Sequence, residues 1–199
     1  MLSDMTYPEV PPLLAAAVLV VVQRAKVFSP RAEYDVYAPD GTPYGSVHQA
    51  AGSGATFFGQ LATISYDVVG TDGQLLMRLR KPGSIGRARF EVEWGNGQPI
   101  GSIAQENLLF APQFALAAVD GSSARLTGGA LMSWEWQLED ASGQPVGSVS
   151  KEFAGLAELF SSADRFVVQL ASQLTGDLRA LAIVATVCLD EVRTARQRR

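Results

Sequence analysis

Residues 178–189 read LRALAIVATVCL, and only Arg179 and Thr186 interrupt the apolar run. Wound as a helix, Leu178, Leu181, Ile183, Val184, Val187, Cys188 and Leu189 cover nearly the whole circumference. A helix that is apolar all round has to be enclosed all round, by protein or by lipid. Asp177 is placed to cap its N-terminus, and Gly176 breaks what precedes it. Arg193, Arg196, Arg198 and Arg199 follow, so cations collect at the negative end of the helix dipole. The run is shorter than the about 20 apolar residues that cross a bilayer. The rest of the chain is therefore expected to build the enclosure.

What the rest repeats is a hairpin. Residues 40–49 read DGTPYGSVHQ, residues 96–105 NGQPIGSIAQ and residues 142–151 SGQPVGSVSK. Each follows an alternating stretch: YDVYA from Tyr34, FEVEW from Phe90 and WEWQL from Trp134. Two looser copies span residues 65–81, with a turn at Asp72-Gly73, and residues 114–126, with a turn at Asp120-Gly121. Asp-Gly, Asn-Gly and Ser-Gly supply the positive φ of tight hairpin turns. Period-2 alternation marks strands with one buried face, so Phe90, Val92 and Trp94 point one way and Glu91 and Glu93 the other. The second glycine of the full copies (Gly45, Gly101, Gly147) falls inside a strand, which predicts a bulge, a sharp bend or close approach of another backbone.

Five hairpins give ten strands. Residues 18–27 add one before them, entered from a short Ala-rich turn or helix, and residues 165–171 (RFVVQLA) add one after. Twelve strands followed by one all-apolar helix suggest a closed antiparallel barrel, because closure removes sheet edges. A barrel this wide has a lumen that side chains alone do not fill. The helix is the candidate filling, and two stacked sheets are the alternative. Residues 152–164 carry a helical stripe (Phe153, Leu156, Leu159, Phe160), predicting a short surface helix. The expected organisation is one mainly β domain over residues 13–192, with residues 1–12 and 193–199 as flexible termini.

Composition narrows the function classes. Net charge is −4, which argues against a nucleic-acid partner, since that needs a basic footprint. Hydrophobic residues make up 47% and charged residues 18%, so a large core is expected and disorder is not. A single cysteine excludes an internal disulfide and a multi-cysteine metal site. The apolar run at 13–22 has no basic segment before it and no small-residue cleavage site after it, so no signal peptide is predicted.

The ordered set of features resembles the phospholipid scramblase family, which shares its fold with Tubby C-terminal domains and LURP-one-related proteins. The resemblance rests on VLVVVQRAKVF from Val18, NGQPIGSIAQE from Asn96, and above all the run from Trp134 to Val192. That run reads WEWQLEDASGQPVGSVSKEFAGLAELFSSADRFVVQLASQLTGDLRALAIVATVCLDEV. It implies a twelve-stranded barrel around a hydrophobic C-terminal helix, and a short, bacterial-type member. It also implies lipid movement between leaflets, and Tubby relatives bind phosphoinositides. Three departures stand out: only Pro8, Pro11 and Pro12 replace a long Pro-rich N-terminal segment, Cys188 is alone, and the stretch where the family places calcium-binding acids reads SADRFVVQLASQLTGD. Ser162 and Gln173 stand at often-acidic positions, leaving Asp164 and Asp177 as the family-derived calcium candidates. Calcium takes 6–8 oxygen ligands, several of them carboxylate, so no calcium requirement is expected.

Catalytic groups are scarce. His48, the one histidine, lies two residues from Ser46, but no GxSxG elbow is present. A wall histidine is the expected role, and no catalytic residue is assigned. Cys188 has apolar helical neighbours and reads as core. Trp94, Trp134 and Trp136 alternate with acids and read as core rather than as a stacking platform. No metal motif, phosphate-binding loop or cofactor signature is present. The positive signal is Arg78, Arg80, Lys81, Arg87 and Arg89, five cations with no acid among them. They read either as a site for anionic lipid headgroups or as a solvated strand pair whose charges discourage edge pairing. The leading expectation is a non-enzymatic scramblase-like barrel, cytoplasmic and peripheral at the inner membrane face. It would dock on anionic phospholipid through these cations, helped by an exposed Phe57-Phe58 loop. The rivals are an intracellular scaffold holding a protein partner or small ligand, and, behind it, a hydrolase.

Overall fold

The computed structural model describes residues 10–24, 32–51, 63–83, 86–107, 113–129, 135–151 and 165–197, with side chains described as far as Ala195. The predicted surface helix at 152–164, the Phe57-Phe58 loop, Trp134 and Asp164 lie outside these residues. A one-turn helix α1 (Pro12–Ala15) leads into β1 (Val18–Gln23). Five hairpins follow: β2 (Glu33–Tyr37) with β3 (Pro43–Gln49), β4 (Ile64–Gly70) with β5 (Leu75–Lys81), and β6 (Arg89–Trp94) with β7 (Pro99–Gln105). The last two are β8 (Gln113–Ala118) with β9 (Ser123–Gly128) and β10 (Trp136–Asp140) with β11 (Pro145–Ser150). Then come β12 (Arg165–Leu170) and helix α2 (Gly176–Gln197). The sheet is an antiparallel barrel closed by β1 pairing with β12, so the stacked-sheet alternative falls.

One turn is used five times. In each, an Asp or Asn side chain accepts a hydrogen bond from the backbone N–H two residues on: Asp40 from Thr42, Asp72 from Gln74, Asn96 from Gln98, Asp120 from Ser122 and Asp140 from Ser142. A glycine in the left-handed region completes each turn, directly after the Asx in four of them and after Ser142 in the fifth. Directly after the turn, four hairpins insert an extra residue. Between Val92↔Gly101 and Glu93↔Pro99, for example, Ile100 has no partner opposite it. The same shift in the other three frees Tyr44, Leu76 and Val146. Leu76, Ile100 and Val146 join the buried core, so the bulges supply apolar plugs for the turn-bearing end of the lumen. The glycine after the bulge is needed for space: a Cβ on Gly101 (φ +151°) would lie 2.2 Å from the Ala117 carbonyl oxygen, and one on Gly45 (φ +156°) 2.3 Å from that of Val69. Both the bulge and the close approach are thus present.

Inward residues of every strand meet α2 in one core, including Leu19, Tyr34, Tyr66, Leu79, Phe90, Ile103, Phe114, Leu116 and Phe166. Each such side chain contributes roughly 2 kcal/mol by leaving water. Residues 180–190 of α2 are all buried, which is what an all-apolar circumference requires. The helix enters at the rim that carries the five tight turns and runs toward the rim that carries the longer connections. At about 1.5 Å per residue, the span from Asp177 to Glu191 is roughly 21 Å, matching strands of six or seven residues. The first strand, expected over residues 18–27, ends at Gln23, and both ends of α2 differ from expectation. The helix begins at Gly176 (φ +58°), so Asp177 sits in its first turn, where its carboxylate accepts the Trp94 indole N–H (3.1 Å). At the other end it continues to Gln197, past Val192.

Candidate functional site

The cationic cluster does not stay together in space, because strand alternation divides it. Arg78 and Arg80 project from the outer wall on β5, and Lys81, next in the chain, turns into the lumen and is buried. Arg87 precedes β6 and donates to the Glu106 carbonyl (2.8 Å). Arg89 stands on the outer wall of β6. The sheet also brings in acids that the linear cluster lacked: Arg80 pairs in register with Glu91, and Arg78 with Glu93 on one side and Asp67 on the other. Arg78 makes a two-pronged ion pair with Asp67 (2.6 and 3.3 Å), and these hydrogen bonds raise its pKa above the ordinary arginine value. Arg80, Arg89 and Glu91 are exposed, and among the described residues no side-chain hydrogen bond or ion pair engages them.

These side chains border a groove of about 450 Å³, large enough for a headgroup-sized ligand. Its cause is a step in side-chain height. Arg78, Arg80, Arg89, Glu91 and Glu93 stand on β5 and β6, and the neighbouring wall of β7 and β8 presents Gly101, Ser102, Ala117 and Ala118. A larger groove on the wall of β9–β12 is lined by Thr127, Gln137, Ser148, Ser150 and Gln169, and among the described residues its charged lining is Glu135 and Glu139, with no cation to hold an anion.

Lys81 belongs to a different assembly, at the rim where α2 leaves the lumen. Its ammonium is 3.2 Å from Glu191, whose other oxygen accepts the Tyr66 hydroxyl (2.7 Å). The neighbouring Asp190 accepts from Tyr34 (2.6 Å) and Gln23 (3.0 Å). Burial first, and then the adjacent carboxylates, hold both tyrosine pKa values well above ordinary, so the phenols remain donors. Burial likewise pushes the Cys188 thiol up, which suits a core residue and opposes thiolate chemistry. At the opposite rim, Arg179 donates to the carbonyls of Leu14, Ala15, Ala16, Ala171 and Leu174, tying α1 to the start of α2. Desolvation lowers its pKa. Sequence reasoning treated Arg179 as an interruption and missed Tyr34, Tyr66, Asp190 and Glu191. The available signal was inward tyrosines, whose hydroxyls need partners, together with Asp-Glu at the end of an apolar helix.

The remaining candidates resolve locally. The Ser46 hydroxyl lies 2.7 Å from His48 Nε2 on the outer wall. The carboxylates facing His48 across the strands are Glu33 and Asp67, and arginines hold both: Arg24 pairs with Glu33 (3.1 Å) and Arg78 with Asp67. Trp94 and Trp136 pack against the core, with the Trp136 ring 5.9 Å from Phe114. Among the described residues no three His, Cys, Asp or Glu side chains are grouped to hold a metal, and Asp177 is engaged by Trp94. Among the same residues no helix is long and apolar enough to cross a membrane.

The Scramblase family model matches residues 55–193, more than half of the chain and the part that contains the groove, the Tyr66–Lys81–Glu191 portion of the luminal cluster and most of α2. The chain belongs to the Scramblase family. The twelve-stranded barrel with its enclosed helix agrees with the Tubby-like fold that the sequence resemblance implied. No curated protein and no solved structure matches this Scramblase-family chain.

Proposed function

We propose that this Scramblase-family barrel is a non-catalytic protein that associates peripherally with anionic phospholipid surfaces, docking through its outer wall. The observation that carries the reading is the groove where Arg78, Arg80 and Arg89 stand beside a floor of small residues, with the Arg80 and Arg89 side chains in no hydrogen bond or ion pair among the described residues. A basic residue near an anionic bilayer contributes about 1 kcal/mol. The membrane met is the inner face, and calcium is not needed, because the family's acidic stretch retains only Asp164 and Asp177 here. Transbilayer movement of lipid is the family-level activity.

Flotation with liposomes of rising phosphatidylglycerol content tests the docking. Binding should rise with anionic fraction, fall with salt, and drop more than tenfold when Arg78, Arg80 and Arg89 are all changed to Ala. Indifference to lipid would remove the reading. Calcium should leave flotation unchanged, and a sub-millimolar calcium affinity by calorimetry would contradict that part. One observation favours a second reading, a scaffold for a protein partner: Glu91 and Glu93 share the groove with the arginines. A mixed-charge surface suits the mixed charges of another protein better than a uniform anionic sheet does.

A further inference from the structure

The acid that weakens a purely anionic reading points to a more specific ligand. Glu91 sits at the centre of the unpaired charges. Arg80 is directly opposite it on β5, and Arg89 is two residues before it on the same face of β6. Cross-strand neighbours on one face are roughly 5 Å apart, and residues i and i+2 of a strand roughly 7 Å. Even so, Glu91 forms no ion pair with either arginine. Arg78 is already committed to Asp67, and Glu93 faces Arg78. The groove therefore offers two open guanidinium groups and one open carboxylate within the reach of a single headgroup, above a floor low enough to admit it.

We infer that the Arg80–Arg89–Glu91 groove reads a phosphodiester headgroup that also carries a primary ammonium, an ethanolamine or serine headgroup, in preference to headgroups without an amine. The guanidinium groups take the phosphate, and the carboxylate where the headgroup has one, through bidentate hydrogen bonds. Glu91 accepts from the ammonium, which two carbons of the headgroup separate from the phosphate ester oxygen. A glycerol headgroup satisfies the arginines but leaves Glu91 facing a group of no charge. Discrimination then comes from the acid and general attraction from the arginines. The inference rests on the membrane-docking reading and adds headgroup choice to it.

The test compares vesicles of phosphatidylcholine containing equal fractions of phosphatidylserine or phosphatidylglycerol. These have the same net surface charge and differ in the ammonium and carboxylate of the serine, and the Glu91 variants isolate the part that the ammonium plays. The wild-type protein should bind the serine vesicles about three- to fivefold better, the worth of one exposed charge contact. Glu91→Gln should bring the two affinities together. Glu91→Lys should do the same and strengthen binding to the glycerol vesicles. Equal binding of both vesicles by the wild type, or a preference that survives Glu91→Gln, overturns the inference and leaves membrane docking standing. Failure to bind either vesicle overturns both. Soluble glycerophosphoserine separates two forms of the supported outcome: competition assigns recognition to the headgroup alone, and preference without competition assigns it to the headgroup presented in a bilayer.

Discussion

Arg80 and Lys81 are adjacent cations on one strand with opposite fates. Arg80 stands on the outer wall, exposed, with no side-chain hydrogen bond or ion pair among the described residues. Lys81 is buried in the lumen, 3.2 Å from Glu191 of α2. The difference follows from the two-residue period of a strand, since one step along β5 moves a side chain from water to the core. A charge placed inward must be matched or the fold suffers, and Glu191 with its Tyr66 hydrogen bond supplies the match. A charge placed outward is under no such demand and remains available for a ligand. The inner face of this barrel thus decides whether the chain folds, and the outer face what the folded chain meets.

The largest effect that would test this division is a charge placed where the lumen has no partner for it. Val184 is 1% exposed at the middle of α2. Val184→Asp should cost several kcal/mol and leave the protein largely unfolded by circular dichroism and thermal denaturation. A Val184→Asp protein that folds normally and only loses membrane attachment would mean that α2 is an anchor rather than the filling of a barrel. Ala182→Asp, 2% exposed in the wild-type residue, should behave the same way.

The next effect is smaller because part of the network survives. Lys81→Ala strands a half-buried Glu191 carboxylate that keeps only its tyrosine donor. The expected loss is about 3 kcal/mol in urea unfolding. Lys81→Met with Glu191→Gln, which removes both charges and retains much of the volume, should recover most of it. If Lys81→Ala costs no more than a surface substitution, the ion pair does not fasten α2, and the contrast between the two faces of β5 collapses.

How far the sequence disclosed this arrangement depended on whether a feature is local. The five turns were legible because each Asx-Gly or Ser-Gly pair encodes its own geometry; in four the Asx before the glycine makes the side-chain-to-backbone bond, and in the fifth Asp140, two residues before Ser142, makes it. Strand count and the enclosed helix followed from periodicity. The glycines at 45 and 101 announced a crowded backbone without saying which strand crowds it; that required the register of β3 on β4 and of β7 on β8. The luminal cluster was hidden for the same reason, since Tyr34 and Asp190 are 156 residues apart in the chain. The cationic cluster was only partly legible: alternation within β5 placed Arg78 and Arg80 together, yet Lys81 was counted with them although the same period sends it inward. The acids of the groove lie beyond the cluster in sequence, and pairing with β6 is what sets Glu91 across from Arg80.

The outer wall supplies the smallest effects on stability. Arg78 and Asp67 form a close ion pair, but the two side chains are 42% and 26% exposed. Solvent and salt screen such a pair, so Arg78→Ala should lower stability by less than about 1 kcal/mol. Arg80→Ala should change it by no more than about 0.5 kcal/mol, because among the described residues the Arg80 side chain has no hydrogen bond or ion pair to lose. The same urea titrations that report Lys81→Ala would measure both, with the slope unchanged if the unfolded states are alike. The informative result is the ordering. Arg80 below Arg78, and both well below Lys81, is what a wall free for binding and a lumen committed to folding require. A loss at Arg80 as large as that at Lys81 would instead make the wall part of the fold, and flotation of the arginine variants would then report stability rather than lipid contact.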